Sequence, residues 1–502
     1  MDSEKALQAL RDAGIRLTPE AHGFIKGDER AAANVERLLL LGKPILGKED
    51  IEELLRDVEK VPVPVPVEVK RASGFKPLAK EYSPDIRISE HKDISGKSRC
   101  TGTLEDFVGY FRNRFERTRR LLKERITDLP VVNSADLKAR EGQDCRIIAM
   151  VTEKRMTKKG NMLVTAEDEL GSVKVVVPSD KPCYQLAERL LLDEVVAFDV
   201  RVLGALLIAK EITHPDIPVA HEQKLCEKDV AIVYMSDLHL GSRYFMDKHF
   251  NRFLNWLNGN EGDRELAGKV KYIEIAGDIV DGIGIYPNQE KELVVKDIFK
   301  QYEMFDTMME SIPDYIEVIV SPGNHDAVRR AEPQPFIPME LIKSDVRKVG
   351  SPSFLEIEGL KHLVYHGTSL DSIIASISGL DYARPEQPML ELLKRRHLSP
   401  VYGDNLIVPE ARDYLVIDEV PDIMHMGHVH KNGHMQYRGT VIINSGTFQE
   451  RTDFQVRMGH VPSPALVPVY EVKLGRIRTV DFNAPAAAPV GVPVAGVPGQ
   501  VS

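Results

Sequence analysis

Five stretches in the second half of this chain run from a short apolar segment straight into Asp, Asn or His. VAIVYM leads into Ser236-Asp237-Leu238-His239, and VKYIEIA into Gly277-Asp278-Ile279-Val280-Asp281. IEVIVSP leads into Gly323-Asn324-His325-Asp326, KHLVY into His366-Gly367, and DIMHM into Gly427-His428-Val429-His430. Each apolar run reads as a buried strand, and helical stretches alternate with them, which predicts an α/β layered domain over residues 228–483. Polar groups at the carboxyl ends of such strands fall where open α/β sheets place their sites.

The residue types are those of a two-metal hydrolytic centre. Imidazole and carboxylate suit borderline divalent ions such as Mn, Fe or Zn. A carboxylate can bridge two cations about 3.5–4 Å apart; such a pair holds a phosphate, lowers the pKa of a water and offsets charge in an in-line displacement. The D-x-H and H-x-H spacings suit a strand exit, where alternate side chains point to one side. Each piece alone is weak, and the weight lies in their order and completeness. The motifs use five of the 15 histidines. His362, His397 and His425 are expected to be packed, and His434 is a candidate for the rim of the site. Asp281 and Asp326 each stand beside a candidate ligand; they either hold a ligand imidazole or cap a loop.

The rest of the chain divides by texture. Residues 1–57 have apolar spacing of helical period and predict a small helical domain. VPVPVPV at 61–67 excludes helix and sheet ladders and favours polyproline II, so 58–100 reads as a linker. A basic amphipathic helix is expected within 101–130, with Thr103 and Asp106 at capping-box spacing. Its apolar stripe is Phe107, Phe111, Phe115 and Leu122, and residues 111–125 hold seven Arg or Lys against two Glu. That face either is solvated while the Phe stripe docks, or contacts a phosphate backbone. Residues 131–227 read as five strands with a helix between the third and fourth, the pattern of an OB-fold barrel. Such a barrel binds single strands or serves as a packing module; Phe198 is its clearest aromatic. The last 19 residues hold four Pro, three Gly and no charge, and predict a disordered tail over 484–502. The whole is a multidomain α+β chain.

The motif series D-x-H, GD, GNH(D/E), H, GHxH resembles that of the calcineurin-like metallophosphoesterases. The resemblance implies that Asp237, His239 and His430 hold one metal, that Asn324, His366 and His428 hold the other, and that Asp278 bridges them. It implies a catalytic role for His325, which would contact the scissile phosphate and protonate the leaving oxygen. Two divalent ions, Mn²⁺ by resemblance, are the expected cofactors. An OB-like module directly before this domain is similar to the small (B) subunits of replicative DNA polymerases. SDLHLGSRYF, GDIVDGIGIYPNQ, LLKRRHLSPVYGDN, INSGTFQERTDFQ and VPSPALVPVYEV resemble the small subunits of the archaeal D-family DNA polymerases, over about residues 100–480. This implies a proofreading 3′–5′ exonuclease acting on DNA ends, single-stranded or at a primer-template. The large polymerase subunit would be its partner. Glu450-Arg451 departs from the polar pair expected after GTFQ, and no convincing clamp-binding motif is present.

Rival readings are a scaffold subunit with little hydrolysis, a stand-alone repair nuclease, and a phosphatase for small esters or proteins. A repair nuclease normally opens on the D-x-H motif, whereas about 236 residues precede it here. No apolar run approaches about 18 residues and the N-terminus is charged from its second residue, so neither span nor secretory signal is expected. Cys100, Cys145, Cys183 and Cys226 lie far apart and predict free thiols. A cytoplasmic, nucleoid-associated protein is expected. Charge adds one constraint. Residues 1–230 carry 39 basic and 40 acidic residues, and residues 231–502 carry 27 and 36, so the net −10 sits almost wholly on the second half. Bound cations and local basic surface, rather than bulk charge, must attract a nucleic acid.

Overall fold

The computed structural model describes residues 3–41, 43–60, 69–125 and 127–484. The expected polyproline run at 61–67 and the tail from 485 lie outside the described residues. Helices Ser3–Asp12, Pro19–Gly27, Glu29–Ala33, Val35–Leu40 and Lys48–Lys60 surround Leu7, Leu10, Ile25, Leu38, Leu46 and Ile51. Thr18 caps the second helix by accepting the Ala21 N–H, with Pro19 opening its first turn. A two-residue parallel pair, Arg16–Leu17 against Ile45–Leu46, ties the bundle together; so short a pair leaves no periodic signature.

A closed five-stranded barrel follows. Its strands are Asp144–Met156, Met162–Asp168, Gly171–Val177, Val195–Leu203 and Leu206–Thr213, with helix Tyr184–Glu188 between the third and fourth. The first strand pairs with both the second and the fourth, the second with the third, the fourth with the fifth, and the fifth with the third in parallel. This circuit closes the sheet. Ile147, Val164, Val175 and Val200 fill it, together with Phe198. Phe198 has no exposed surface, so the clearest aromatic of the barrel is a core residue and cannot meet a strand.

The C-terminal region is built on two facing six-stranded sheets. The first runs Arg347–Lys348, Glu317–Ser321, Val270–Ala276, Ala231–Met235, Leu466–Glu471, Arg476–Asp481; its first four strands are parallel. The second runs Asn432–Tyr437, Thr440–Ser445, Ile423–Met426, Leu360–Val364, Ser353–Ile357, Ile86–Ile88. Alternate residues of one strand serve two cores. Ile232 and Tyr234 face the opposing sheet, while Val233 and Met235 face the helices Asp247–Leu257 and Ile298–Met309. Strands covered on both faces are mostly apolar, which explains the runs in the sequence, and the polar exceptions Glu274, His362 and His425 are buried.

The segment 69–100, expected to be linker, is instead part of this layered region. Ile86–Ile88 is the edge strand of the second sheet, paired with Leu355–Ile357. Asp93 is buried and accepts N–H bonds from Gly350 at 2.6 Å and Ser95 at 2.8 Å. Lys92 is buried over the Phe354 ring with its ammonium 2.7 Å from Glu419. Three residues of edge strand in a polar context carry too little pattern to be read, because their partner lies over 260 residues away.

The basic helix is Leu104–Lys123, with both halves of the Thr103/Asp106 capping box formed. Its stripe is divided. Phe115 and Leu122 pack on Ile148, Met150 and Val195 of the barrel, while Phe107 and Phe111 meet Tyr402 edge-on. Neither the solvated-face nor the phosphate reading fits its central arginines. Arg114 is 2% exposed and gives Nε–H to Asp413 at 2.8 Å, with further bonds to Pro400 O and the Tyr110 hydroxyl. Arg117 bonds Asp418 at 2.9 Å and the Asp413 carbonyl. Buried Arg395 and Glu194, 2.7 Å apart, make a second ion pair across the same junction. The helix therefore joins the barrel to the layered region through charges removed from water. The four cysteines are unpaired, and no helix among the described residues is long and apolar enough to cross a membrane.

Candidate metal centre

All five motif segments end at one edge of the layered region, where the carboxyl ends of strands from both sheets meet. The chain does not leave these strands in extended form, contrary to the alternation argument for D-x-H and H-x-H. Asp237, His239, Asp278, His428 and His430 have φ of 53°, 51°, 51°, 71° and 54°. A left-handed residue other than glycine costs roughly 1–2 kcal/mol, and such strain collects at functional sites. The turns aim both outer residues of each motif into one space. Two glycines make room. A Cβ on Gly323 would lie 2.1 Å from Asp278 Oδ1, and one on Gly427 would lie 2.3 Å from Asp237 Oδ2.

The side chains converge in two overlapping groups. In the first, His239 Nε2 and His430 Nε2 are 3.0 Å apart, and Asp237 Oδ1 is 3.8 Å and 3.4 Å from them. In the second, Asn324 Oδ1 lies 3.0 Å from His366 Nε2 and 3.1 Å from His428 Nδ1. Asp278 Oδ2 stands between the groups, 3.3 Å from His366 Nε2 and 3.8 Å from His239 Nε2. Asp237 Oδ1 is buried without a hydrogen-bond partner. An unpartnered carboxylate oxygen is costly in an interior, and here it faces two imidazole nitrogens. That is the geometry of donors around a shared cation, and the seven residues fit the two ions expected of them.

The electrostatics agree. Burial raises the Asp237 and Asp278 carboxyls, but the imidazoles around them overcome it and hold both well below the usual carboxylate range. Burial opposes charge on His239 and His366, yet the neighbouring carboxylates raise both to about 10. The site thus gathers positive charge from whatever is at hand, and a divalent cation competes with those protons. His325 behaves differently. Burial lowers it despite Asp278, so it is neutral near pH 7. Its Nδ1–H is given to the Asp281 carbonyl at 2.8 Å, its backbone N–H to Asp278 Oδ1 at 2.8 Å, and its Nε2 is left toward the cavity.

Neighbouring groups orient the imidazoles, as is usual around metal ligands. His366 gives Nδ1–H to Ala276 O at 2.8 Å. Asp281 takes His239 Nδ1–H at 2.9 Å and is itself held by Gln289 and Gln449. Asp326 does something else. It accepts the Gly323 N–H at 2.8 Å and the Tyr302 hydroxyl at 3.0 Å and touches no motif imidazole, so it caps the loop. Asp371, 3.0 Å from His428 Nε2, and Gln455, 2.9 Å from His430 Nδ1, were not legible in the sequence. They lie on separate segments, with no periodic or motif signal. His362 and His425 pack between the sheets, each giving Nδ1–H to buried Glu274, at 2.8 and 2.7 Å. His397 is buried against Asp413. His434 is exposed on an edge strand; the rim histidine is His460. The cavity above the motifs measures about 210 Å³ and is also lined by Tyr286, Asp371, Tyr382, Thr452 and Phe454.

A profile of the family described as "Calcineurin-like phosphoesterase" matches residues 230–432. That family implies divalent metals, in keeping with the convergent Asp and His groups. Along most of its length the chain is similar to proteins named DNA polymerase II small subunit. That of Methanocaldococcus jannaschii is 43% identical over 409 residues, covering 79% of this chain and 68% of the relative. That of Archaeoglobus fulgidus is 40% identical over 434 residues, covering 85% and 86%. That of Methanothermobacter thermautotrophicus is 39% identical over 429 residues, covering 83% and 87%.

Proposed function

The chain belongs to the family of archaeal DNA polymerase II small subunits, and from that premise we propose that it is a metal-dependent 3′–5′ exonuclease that removes nucleotides from DNA ends in support of a large polymerase subunit. The observation that carries the reading is the complete convergent donor set, with the unpartnered Asp237 Oδ1 at its centre. Asp237, His239 and His430 would hold one cation, Asn324, His366 and His428 the other, and Asp278 both. Two bound divalent cations, Mn²⁺ in this reading, supply charge neutralisation at a phosphodiester and activation of a water.

The residues of the chain do the rest. His325, with Nδ1–H fixed on the Asp281 carbonyl, has only Nε2 with which to move a proton. A phosphodiester brings negative charge beside that ring and favours its protonated form, so His325 hands the proton to the leaving 3′ oxygen. Asp281 keeps two imidazoles in place at once, His239 through its carboxylate and His325 through its carbonyl. We read the barrel as an OB-fold whose buried ion pairs to the layered region make it a rigid support; its core Phe198 gives no stacking surface for DNA. Arg112, Arg120 and Lys123 on the exposed part of the helix are the groups left for phosphate.

The test uses the complex with its large subunit. Labelled single-stranded DNA should be shortened from its 3′ end with Mn²⁺ and not with EDTA, while p-nitrophenyl phosphate is a poor substrate. His325→Ala should lower the rate about 10²–10⁴-fold. Absence of Mn²⁺-dependent cleavage, or an unchanged rate in the variant, would leave the scaffold role instead.

A further inference from the structure

Part of the cavity wall is aromatic, and no step of the hydrolysis uses it. Tyr382 and His460 lie against each other there, tilted, with ring centroids 4.0 Å apart and planes at 35°. Phe454 lines the same mouth and is 52% exposed. The short helix that carries Phe454, Asp453–Met458, buries none of its residues and leaves Val456 and Met458 more than half exposed as well. A capping box from Thr452 to Gln455 nevertheless fixes it, and Gln455 reaches His430. On the other side, the Tyr382 hydroxyl donates to Asp371 Oδ1 at 2.9 Å, and Asp371 Oδ2 is 3.0 Å from His428 Nε2. Both arms of the aromatic wall are therefore tied by hydrogen bonds to imidazoles of the metal centre.

We propose that Tyr382, His460 and Phe454 form a stacking platform for the unpaired terminal base of the strand whose last phosphodiester lies at the metal centre. The proposal rests on the exonuclease reading and adds the residues that hold the terminal base. Placement supports it: Tyr382, Phe454 and His460 line the same cavity as His239, Asp278 and His325, beside the groups that would hold the last phosphodiester. Aromatic rings at the mouth stack on any base without reading its edge. A paired base has its edge bonded and its faces stacked, so it reaches the platform only after leaving the duplex. An end that frays easily, such as a mismatch, would therefore be taken first.

The test compares short single strands that carry a phosphorothioate last linkage, to resist cleavage, and end in either a normal or an abasic 3′ nucleotide. Binding to the full chain with Mn²⁺ is measured by fluorescence anisotropy. The normal end should bind about tenfold more tightly, within the range of one aromatic–base stack. His460→Ala and Phe454→Ala should shrink that ratio toward one, and Tyr382→Phe, which keeps the ring, should retain it. Equal binding of the two strands by the natural protein, or an undiminished ratio in the His460→Ala/Phe454→Ala double variant, overturns the platform. Cleavage of an unmodified strand is followed in parallel. A base preference without cleavage removes the nuclease reading alone, and cleavage without a base preference removes the platform alone.

Discussion

Replacing Arg114 by Met tests what the basic helix is for. The substitution keeps the apolar stem and removes the guanidinium, which is 2% exposed and 2.8 Å from a fully buried Asp413 carboxylate. At an effective dielectric near 20, charges at that distance attract by about 6 kcal/mol, and desolvation of both offsets much of it. Removing one member leaves the other charge buried, which costs about 3–5 kcal/mol. Asp413 keeps two donors, His397 Nε2–H at 2.9 Å and the Leu415 N–H at 3.0 Å, which favours the lower end. The Pro400 carbonyl and Tyr110 hydroxyl each lose a partner, which adds about 1 kcal/mol apiece. A loss of about 5 kcal/mol follows. Urea unfolding reads it through Trp256, the only tryptophan in the chain, which is buried in the layered region. A cycle with Asp413→Asn should give a coupling of at least about 1.5 kcal/mol. Arg114→Met should leave the salt dependence of DNA binding unaltered, whereas Arg120→Glu with Lys123→Glu should lower its slope. A coupling below about 0.5 kcal/mol, as for exposed pairs, or a changed slope for Arg114→Met, would refute the docking role.

Gly323→Ala should disrupt the metal centre, because its Cβ would fall 2.1 Å from Asp278 Oδ1 and 2.5 Å from the Asp278 backbone nitrogen; elemental analysis should show metal lost. Asp281→Ala, which frees the His239 ring, should weaken metal binding about 10–100-fold by calorimetric titration, and equal affinity would count against an orienting role. Stability should also fall in mild acid. His397 is buried neutral, accepting from the Ser399 N–H at 3.0 Å while giving Nε2–H to Asp413. Burial first, and then the Arg114 charge, lower it to about 4, below the 6.5 of an exposed imidazole. The unfolded chain takes up that proton below pH 6.5 and the folded chain does not, so stability is full above 6.5 and declines down to about pH 4. The total is about 3 kcal/mol. Comparing urea midpoints of the natural protein and His397→Gln across that range isolates the contribution; parallel curves would contradict it.

The sequence by itself picked out the residues that converge on the candidate site. Asp237, His239, Asp278, Asn324, His325, His366, His428 and His430 were legible because each follows a short, mostly apolar run of the kind that strands covered on both faces require. The strands of the barrel and the capped helix were legible for the same kind of reason, since period and capping are local. Only the tertiary structure decided what depends on partners distant in the chain. It made Arg114 and Arg117, on a face expected to meet either solvent or phosphate, into buried clamps, because whether an arginine meets solvent or a carboxylate 299 residues away is not written in its neighbours. It made 86–88 an edge strand and put Phe198 in a core. It replaced the extended exit imagined for D-x-H by left-handed turns, and brought Asp371, Gln455, Tyr382 and His460 to the cavity. Single side chains on separate loops carry no periodicity, so nothing short of folding places them together.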